Sequence, residues 1–425
     1  MSLFANRLPR GQLYFDPAGA LAKSLRSANE PEGSVVARFE RTFADALKAP
    51  HAIALPHARI ALELILRALA LPRGSRVLMS PVTIPEIVSV VSIAGLVPVF
   101  VDLGERTCNV DCDALERRAS ADCSAILITH LAGLPSDMDR ISALAQRHRL
   151  ALIEDCSQAP GATWRGRPLG LFGRAGFMSL TPLKPVSTLH GGLTITADPA
   201  MALMLRSLAN ELGPPLSRTA LARLFLRDSL LHGVTQKDIF AALTYHGVRA
   251  GERFSPQFVR EFQRGNFFND RALASVSRDT AMPGWRYARY SDFQAGLGLH
   301  GLESFVARNR RRRELSTLLL ELLAAAKVSG TARVPTEGES VFWRFPLWVD
   351  DVPRFRRFLL ERGIDSSSTN LPCLSREPAF AEFAADTPNA RAYVDGMVFL
   401  PMHSNLTEAD MRQLSAVVSE YQRAA

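Results

Sequence analysis

The chain has 425 residues, of which 47% are hydrophobic and 22% charged, and a formal net charge of +8. It is too long for a single core, so a globular protein of two domains is expected. The arginines are spread along the chain, the densest run being RNRRRR at 308–313, which excludes a basic nucleic-acid-binding tail. The five cysteines form neither a CxxC pair nor a metal-ligand spacing with histidine, so they support neither a disulfide framework nor a metal site, and they suit a reducing cytoplasm.

The opening MSLFANRLPRGQLYF lacks the apolar run of a signal peptide, and residues 1–34 read as an N-terminal arm. From about residue 35 to 200, apolar runs rich in Val, Ile and Leu alternate with helical patterns. RVLMSP, VPVFVDL, SAILITH, LALIEDC and AGFMSL are the expected strands, and ARIALELILRALAL, IPEIVSVVSIAG, VDCDALERRA and DMDRISALAQRHR the helices between them. This alternation predicts an α/β domain over 35–299 with a mostly parallel sheet. The most apolar stretch, IVSVVSIAGLVPVFV at 87–101, is too short and too broken by Ser, Gly and Pro to span a bilayer, so a soluble protein is expected.

Residues 213–283 interrupt the pattern: an amphipathic part, PPLSRTALARLFLRDSLLHGVTQKDIFAALTYHG, precedes the polar and aromatic RFSPQFVREFQRGNFFNDRA. The plainer expectation is an extra helical pair packed on the domain edge or on a partner subunit. The alternative is a lid or a membrane-surface helix, since Arg218, Arg223 and Arg227 stand among leucines. From 300 to 425 a long Arg-rich helix and further strand and helix patterns predict a small C-terminal α+β domain.

In parallel sheets, ligands gather at the carboxyl ends of strands. The polar residues just past the apolar runs are Thr129, His130, Asp155, Ser157, Gln158, Ser179 and, in SLTPLKPVSTLHGG, Lys184. Lys184 is either a solvated loop lysine or a Schiff-base lysine. Asp155 needs a cation or hydrogen bonds to stay ionised at a buried strand end. Pyridoxal phosphate would supply that cation as a protonated ring nitrogen, and it needs a lysine and a nest of donors for its phosphate.

The order of these residues resembles a known family. IEDCSQAPGATWRGRPLGLFGRAGFMSLTPLKPVSTLHGG is similar to the cofactor segment of the DegT/DnrJ/EryC1/StrS family of pyridoxal-phosphate-dependent sugar aminotransferases. The likeness extends through VARFERTFADAL, PVTIPEIVSVVSIAGLVPVFVDL, THLAGLPSDMD, RYSDFQAGLGLHGLE and FLPMHSNLTEAD, leaving out residues 1–34 and 213–283. It implies the fold type I architecture, pyridoxal 5'-phosphate as cofactor and a homodimer with a shared active site. It makes Lys184 the Schiff-base lysine and proton shuttle, and pairs Asp155 with the ring nitrogen, Gln158 with the ring hydroxyl and Ser179 with the phosphate. His130, His190 and Arg289 fall to substrate binding.

The chain departs from the family in several places. His57, Ala58 and Arg59 replace a Ser-Gly-Thr that opens a helix and holds the phosphate. Loss of glycine limits how closely backbone approaches an oxyanion, and Arg59 is the expected substitute as a charged fork. Ile84 takes the place of an aromatic side chain on the ring. Tyr287 stands where an asparagine reaches the partner subunit's phosphate, with Arg289 kept, and TNLPCL at 369–374 replaces a substrate-loop motif. These changes fall on phosphate and substrate groups. The expected function is transfer of an amino group, with glutamate as the donor implied by the family, to a nucleotide-linked keto sugar. The alternatives are a related cofactor enzyme acting on a non-sugar or by elimination, and an eroded binding or regulatory homologue.

Overall fold

The computed structural model describes residues 7–254 and 278–424. The polar and aromatic segment RFSPQFVREFQRGNFFNDRA, expected to complete the insert, falls almost wholly outside the described residues. In chain order the strands of the amino-terminal half are β1 (His51–Leu55), β2 (Arg76–Met79), β3 (Val97–Phe100), β4 (Cys123–Thr129), β5 (Ala151–Asp155), β6 (Thr163–Trp164), β7 (Arg167–Pro168), β8 (Ala175–Ser179) and β9 (Gly192–Thr196). Seven of them form one sheet in the order β1-β9-β8-β5-β4-β2-β3. β9 runs antiparallel to both neighbours, and all the other pairings are parallel. The five strands expected from apolar runs are the five consecutive parallel ones. β1 and β9 are flanked by glycine, proline and histidine, and their patterns do not stand out from the sequence.

Both faces of this sheet are covered. On one side the helices Ala58–Leu69 and Pro85–Ile93 bury Ile60, Leu64, Ile65, Val88 and Val91 against Val77, Leu127 and Ile153. On the other, Ser34–Leu47 and Met138–Arg147 bury Phe39, Phe43, Ile141 and Leu144 against Ile126, Ile128 and Leu193. A strand buried on both faces must be apolar throughout, which is why these runs do not alternate.

The carboxyl-terminal part adds β10 (Gly338–Glu339), which joins β6 and β7 in a small sheet, and β11 (Phe345–Trp348), β12 (Ser367–Ser368) and β13 (Met397–Leu400) in an antiparallel one ordered β11-β13-β12. The helices Phe305–Ala325, Val352–Glu361 and Glu408–Ala424 pack against it through Leu315, Leu319, Phe355, Met411 and Leu414, giving the smaller α+β unit its own core. It docks on the large sheet near Gly133. That residue has φ 88°, and its carbonyl accepts from Val341 N–H at 3.0 Å. A Cβ there would lie 2.5 Å from the Trp343 amide nitrogen, so only glycine lets the two backbones approach.

The insert begins with an 18-residue helix, Arg218–Thr235, and continues through a π-helical turn, Phe240–Thr244, into Tyr245–Phe254. Leu221 and Leu231 pack on Leu13, Phe15 and Leu297, so the insert lies on the N-terminal arm. Lys237 is bonded to Asp410 at 2.8 Å, and the Tyr245 hydroxyl donates to the Leu360 carbonyl at 2.7 Å, tying the insert to the small unit as well. Among the described residues no helix is long and apolar enough to cross a membrane.

Candidate active site

The carboxyl ends of β5 and β8 open into a cavity of about 740 Å³ between the large sheet, the arm, the insert and the small unit. Lys184, Asp155, Gln158, Ser179, Ala58, Arg59, Ile84 and His190 all line it.

Asp155 is the last residue of β5, paired in register with Thr129 on β4 and Phe177 on β8, so its side chain emerges where three parallel strands stop. It is buried, and its Oδ1 accepts from the Ser157 amide at 2.9 Å. Burial pushes its pKa up, while the Ser157 hydrogen bonds and the charges of Lys184 and His130 pull it back. An aspartate held this way needs a further cation in the cavity to be fully ionised.

Lys184 lies in the loop between β8 and β9. Its Nζ sits 4.2 Å from the centre of the Trp343 ring, and the Trp343 Nε1–H donates to the Leu183 carbonyl at 3.0 Å, fixing the ring against the lysine loop. The residue as a whole is only partly covered, but its ammonium end is withdrawn from water. Desolvation lowers its pKa to about 7, against the pull of Asp155 and with the help of the Arg344 charge. A lysine with a substantial unprotonated fraction near neutrality is a nucleophile, which a solvated loop lysine is not.

The Ala58–Leu69 helix points its first turn at the same cavity. Its N-cap, His57, makes no side-chain capping bond, so the first-turn N–H groups lack both an intrahelical acceptor and a cap. His57 is stacked on His190 at 4.8 Å and 15°, with Trp285 edge-on at 5.2 Å. Burial, together with the charges of His190, Arg59 and Arg286, lowers the His57 pKa to about 2, so the ring is neutral. Its buried Nε2 has no hydrogen-bond partner among the described residues. Gly192 lies beneath this turn: a Cβ there would fall 2.4 Å from the His57 carbonyl carbon and 2.6 Å from the Ala58 nitrogen. The second glycine of the Gly-Gly after Lys184 thus permits the close approach of helix and sheet.

Arg59 is paired with Glu86 at 3.0 Å, and Arg286 approaches the same carboxylate oxygen at 3.6 Å. The trio carries one net positive charge beside a helix N-terminus, a setting that favours an anion. Ser179 exchanges a hydrogen bond of 3.1 Å with Thr181. Gln158 uses its Oε1 to accept from the Ala132 amide at 2.7 Å, which orients its amide nitrogen.

Three expected site residues are not brought to this chain's cavity. His130 is fully buried behind it, and its substrate-binding assignment is corrected. Its backbone amide donates to the Asp155 carbonyl, its Nδ1 accepts from the Ser136 amide, and its Nε2 lies 3.3 Å from Glu154. Glu154 in turn accepts from the amides of Gly170, Phe172 and Gly173, so His130 belongs to an interior network under the strand ends. Tyr287 lies outside the cavity, its hydroxyl donating to Glu63 at 2.8 Å. Arg289 is exposed, and its amide donates to the Gly213 carbonyl. From the same segment Trp285 and Arg286 enter instead.

Sequence reasoning also missed Trp343 and Arg344, in the SVFWRF run, and the cavity-facing side of the insert. The insert contributes Leu216, just before its helix, and Ala220, Arg223, Leu224 and Arg227 on the helix to the wall. A three-to-four residue spacing at 216, 220, 223, 224 and 227 was legible, but what it faced was not.

The sequence profile of the DegT/DnrJ/EryC1/StrS aminotransferase family matches residues 16–216 and 235–419. The chain belongs to this family. The gap in the match falls on the insert helix. Over 95% of this chain and 94% of the other, it is 26% identical to the spore coat polysaccharide biosynthesis protein SpsC of Bacillus subtilis. A stretch of 162 residues is 38% identical to the UDP-N-acetyl-3-dehydro-alpha-D-glucosamine 3-aminotransferase of Acidithiobacillus ferrooxidans, covering 38% of this chain and 44% of that one. Among solved structures, AtS13 from Actinomadura melliaura superposes with a TM-score of 0.72 at 25% identity, covering 98% of this chain and 99% of that one. The sugar aminotransferase CalS13 from Micromonospora echinospora gives 0.72 at 24% identity, over 97% and 99%, and shares the fold. The protein is thus an aminotransferase of fold type I, and the family depends on pyridoxal phosphate.

The residues present fit that cofactor. The cavity holds an aspartate that lacks a full counter-charge, a lysine with a depressed pKa, and an uncapped helix N-terminus with an orphaned buried imidazole nitrogen. These are the three recognition elements the molecule requires.

Proposed function

We propose that the protein transfers an amino group from an amino acid, glutamate by family likeness, to the carbonyl carbon of a nucleotide-linked keto sugar, acting in the cytoplasm as a homodimer whose subunits share their sites. The observation that carries this reading is Lys184, desolvated to a pKa of about 7 in the same cavity as Asp155. Relatives with matching segments are GDP-perosamine synthases and a UDP-linked sugar aminotransferase, which supports a nucleotide-linked acceptor.

Bound in this cavity, pyridoxal phosphate supplies an electron sink for the carbon that bears the amino group. Lys184 would hold it covalently, and once displaced by the incoming amine would carry a proton between substrate carbon and cofactor. Its low pKa suits it to give and take that proton near neutral pH. Asp155 would hold the ring nitrogen protonated, Gln158 the ring hydroxyl, and Ser179 with the first-turn amides of Ala58 and Arg59 the phosphate. Ile84 would cover the ring by apolar contact. In the dimer, Tyr287 and Arg289, which lie outside the cavity of their own chain, would face the partner's site.

The test is the visible absorption spectrum of the purified holoenzyme. Addition of glutamate should abolish the long-wavelength band, and a nucleotide-linked keto sugar should restore it. A band that no amino acid changes would reject the reading.

A further inference from the structure

Two parts of the cavity wall lie outside the segments that match the family, the arm before residue 16 and the insert helix. They meet at a corner whose hydrogen bonds run in one direction. The Leu13 carbonyl can only accept, so His232 Nδ1, 3.2 Å away, carries the ring proton, and His232 Nε2 is left to accept from the Gln236 amide nitrogen at 2.9 Å. That turns Gln236 Oε1 toward Gln12, whose Nε2 donates to it at 3.0 Å. The Gln12 amide is fixed in turn, with its own Oε1 left over. This oxygen is buried, has no hydrogen-bond partner among the described residues, and belongs to a side chain that lines the cavity. A bare acceptor withdrawn from water is unfavourable until a ligand brings it a donor.

The same helix turns Arg223 and Arg227, one turn apart, toward the cavity. Arg227 Nε donates to Oδ1 of the fully buried Asp228 at 2.9 Å. That bond engages only the Nε edge of the guanidinium and pins it in place, so its two terminal nitrogens can serve a ligand. Arg223 is exposed and has no ion-pair partner among the described residues. Gln236, the C-cap of the helix, lies about 13 Å beyond Arg227 along the axis. That is the scale of a nucleoside diphosphate from its base to its phosphates.

We infer that this corner binds the nucleoside diphosphate of the acceptor: Arg223 and Arg227 take the diphosphate, and Gln12 Oε1 accepts a ring N–H of the base. The inference rests on the nucleotide-linked acceptor proposed above and says where that nucleotide is read. Guanidinium forks match phosphate oxygens in shape and charge. Uracil and guanine carry a ring N–H on the edge that a lone acceptor can meet. Cytosine and adenine carry a bare ring nitrogen there, and the relay from Leu13 leaves Gln12 no donor to offer it.

The experiment is calorimetry on the holoenzyme with UDP, GDP, CDP and inorganic pyrophosphate. The wild type should bind UDP or GDP more tightly than CDP. Gln12→Ala should weaken the preferred nucleotide by about 3- to 10-fold, remove the preference over CDP and leave pyrophosphate unchanged. Arg227→Gln should weaken nucleotide and pyrophosphate alike by about tenfold, and Arg223→Gln, at an exposed position, by a few-fold. Bleaching of the visible spectrum by the amino donor involves no nucleotide and shows that each variant is folded. Should Gln12→Ala release the arm, the wild-type preference over CDP and the two arginine variants decide. Equal binding of CDP by the wild type, or nucleotide affinity unchanged in Gln12→Ala and Arg227→Gln, overturns the corner and leaves the nucleotide-linked acceptor standing. A wild type that binds no nucleotide, while the donor bleaches its spectrum, overturns both.

Discussion

The cavity has a floor and a wall of different origin. The floor residues Asp155, Gln158, Ser179 and Lys184 come from one stretch of chain, because adjacent parallel strands end at the same edge and their following loops meet there. The wall is assembled from the arm near Gln12, the insert helix, the Trp343–Arg344 corner and the loop near Asn370, segments far apart in sequence. Chemistry set by strand ends is tied to the sheet and tolerates little change. Specificity set by the wall can change without disturbing it, which is how a family keeps one reaction and varies its substrates.

Variants on the two sides should therefore behave differently. Lys184→Ala on the floor should lose turnover entirely, together with the adduct that borohydride otherwise traps; residual steady-state activity at wild-type levels would break the distinction. The acidity of the same lysine gives the next largest effect. A lysine of ordinary pKa is almost wholly protonated at neutral pH, whereas one with a pKa of about 7 is about half free. The rate at which apoprotein captures added pyridoxal phosphate should therefore rise with pH and level off above about 7; a rate still climbing at pH 9 would mean that the amine is not desolvated.

Asp155→Asn keeps the shape of the strand end but removes the charge opposite the ring nitrogen. Its rate should drop by about two orders of magnitude or more while cofactor content changes little, and near-normal rates would remove Asp155 from the floor. Arg59→Ala tests the boundary between the two regions. Because Arg59 already spends its charge on Glu86 and Arg286 stays behind, cofactor should bind about tenfold more weakly, as for loss of one charge-assisted contact of roughly 1.5 kcal/mol. Equal dissociation constants would assign the phosphate to the helix amides and Ser179 alone. The smallest effect is expected on the wall: Arg223→Ala should raise the half-saturating acceptor concentration a few-fold and leave the donor's unchanged, and an equal change in both would show that the wall does not divide the two substrates.

The same division explains what could be read from the chain. The five parallel strands were legible because burial on both faces forces continuous apolar runs, and the floor was legible because its residues follow those runs in a fixed order. His130 also follows a strand, but the next turn carries it inward to Glu154, and nothing in its spacing distinguishes inward from outward. Trp343 and Arg344 stand in an ordinary-looking aromatic stretch, and only the docking of the small unit at Gly133 brings them to Lys184. The insert showed a helix; that one side of it lines a cavity depends on the arm, against which Leu221 and Leu231 pack.

The most direct measurement is to reduce the holoenzyme with borohydride, digest it and locate the retained pyridoxyl group by mass spectrometry. The group should be found on the peptide that contains Lys184 and on no other lysine. A label at another lysine, or no retained label, would contradict the assignment on which the site is built.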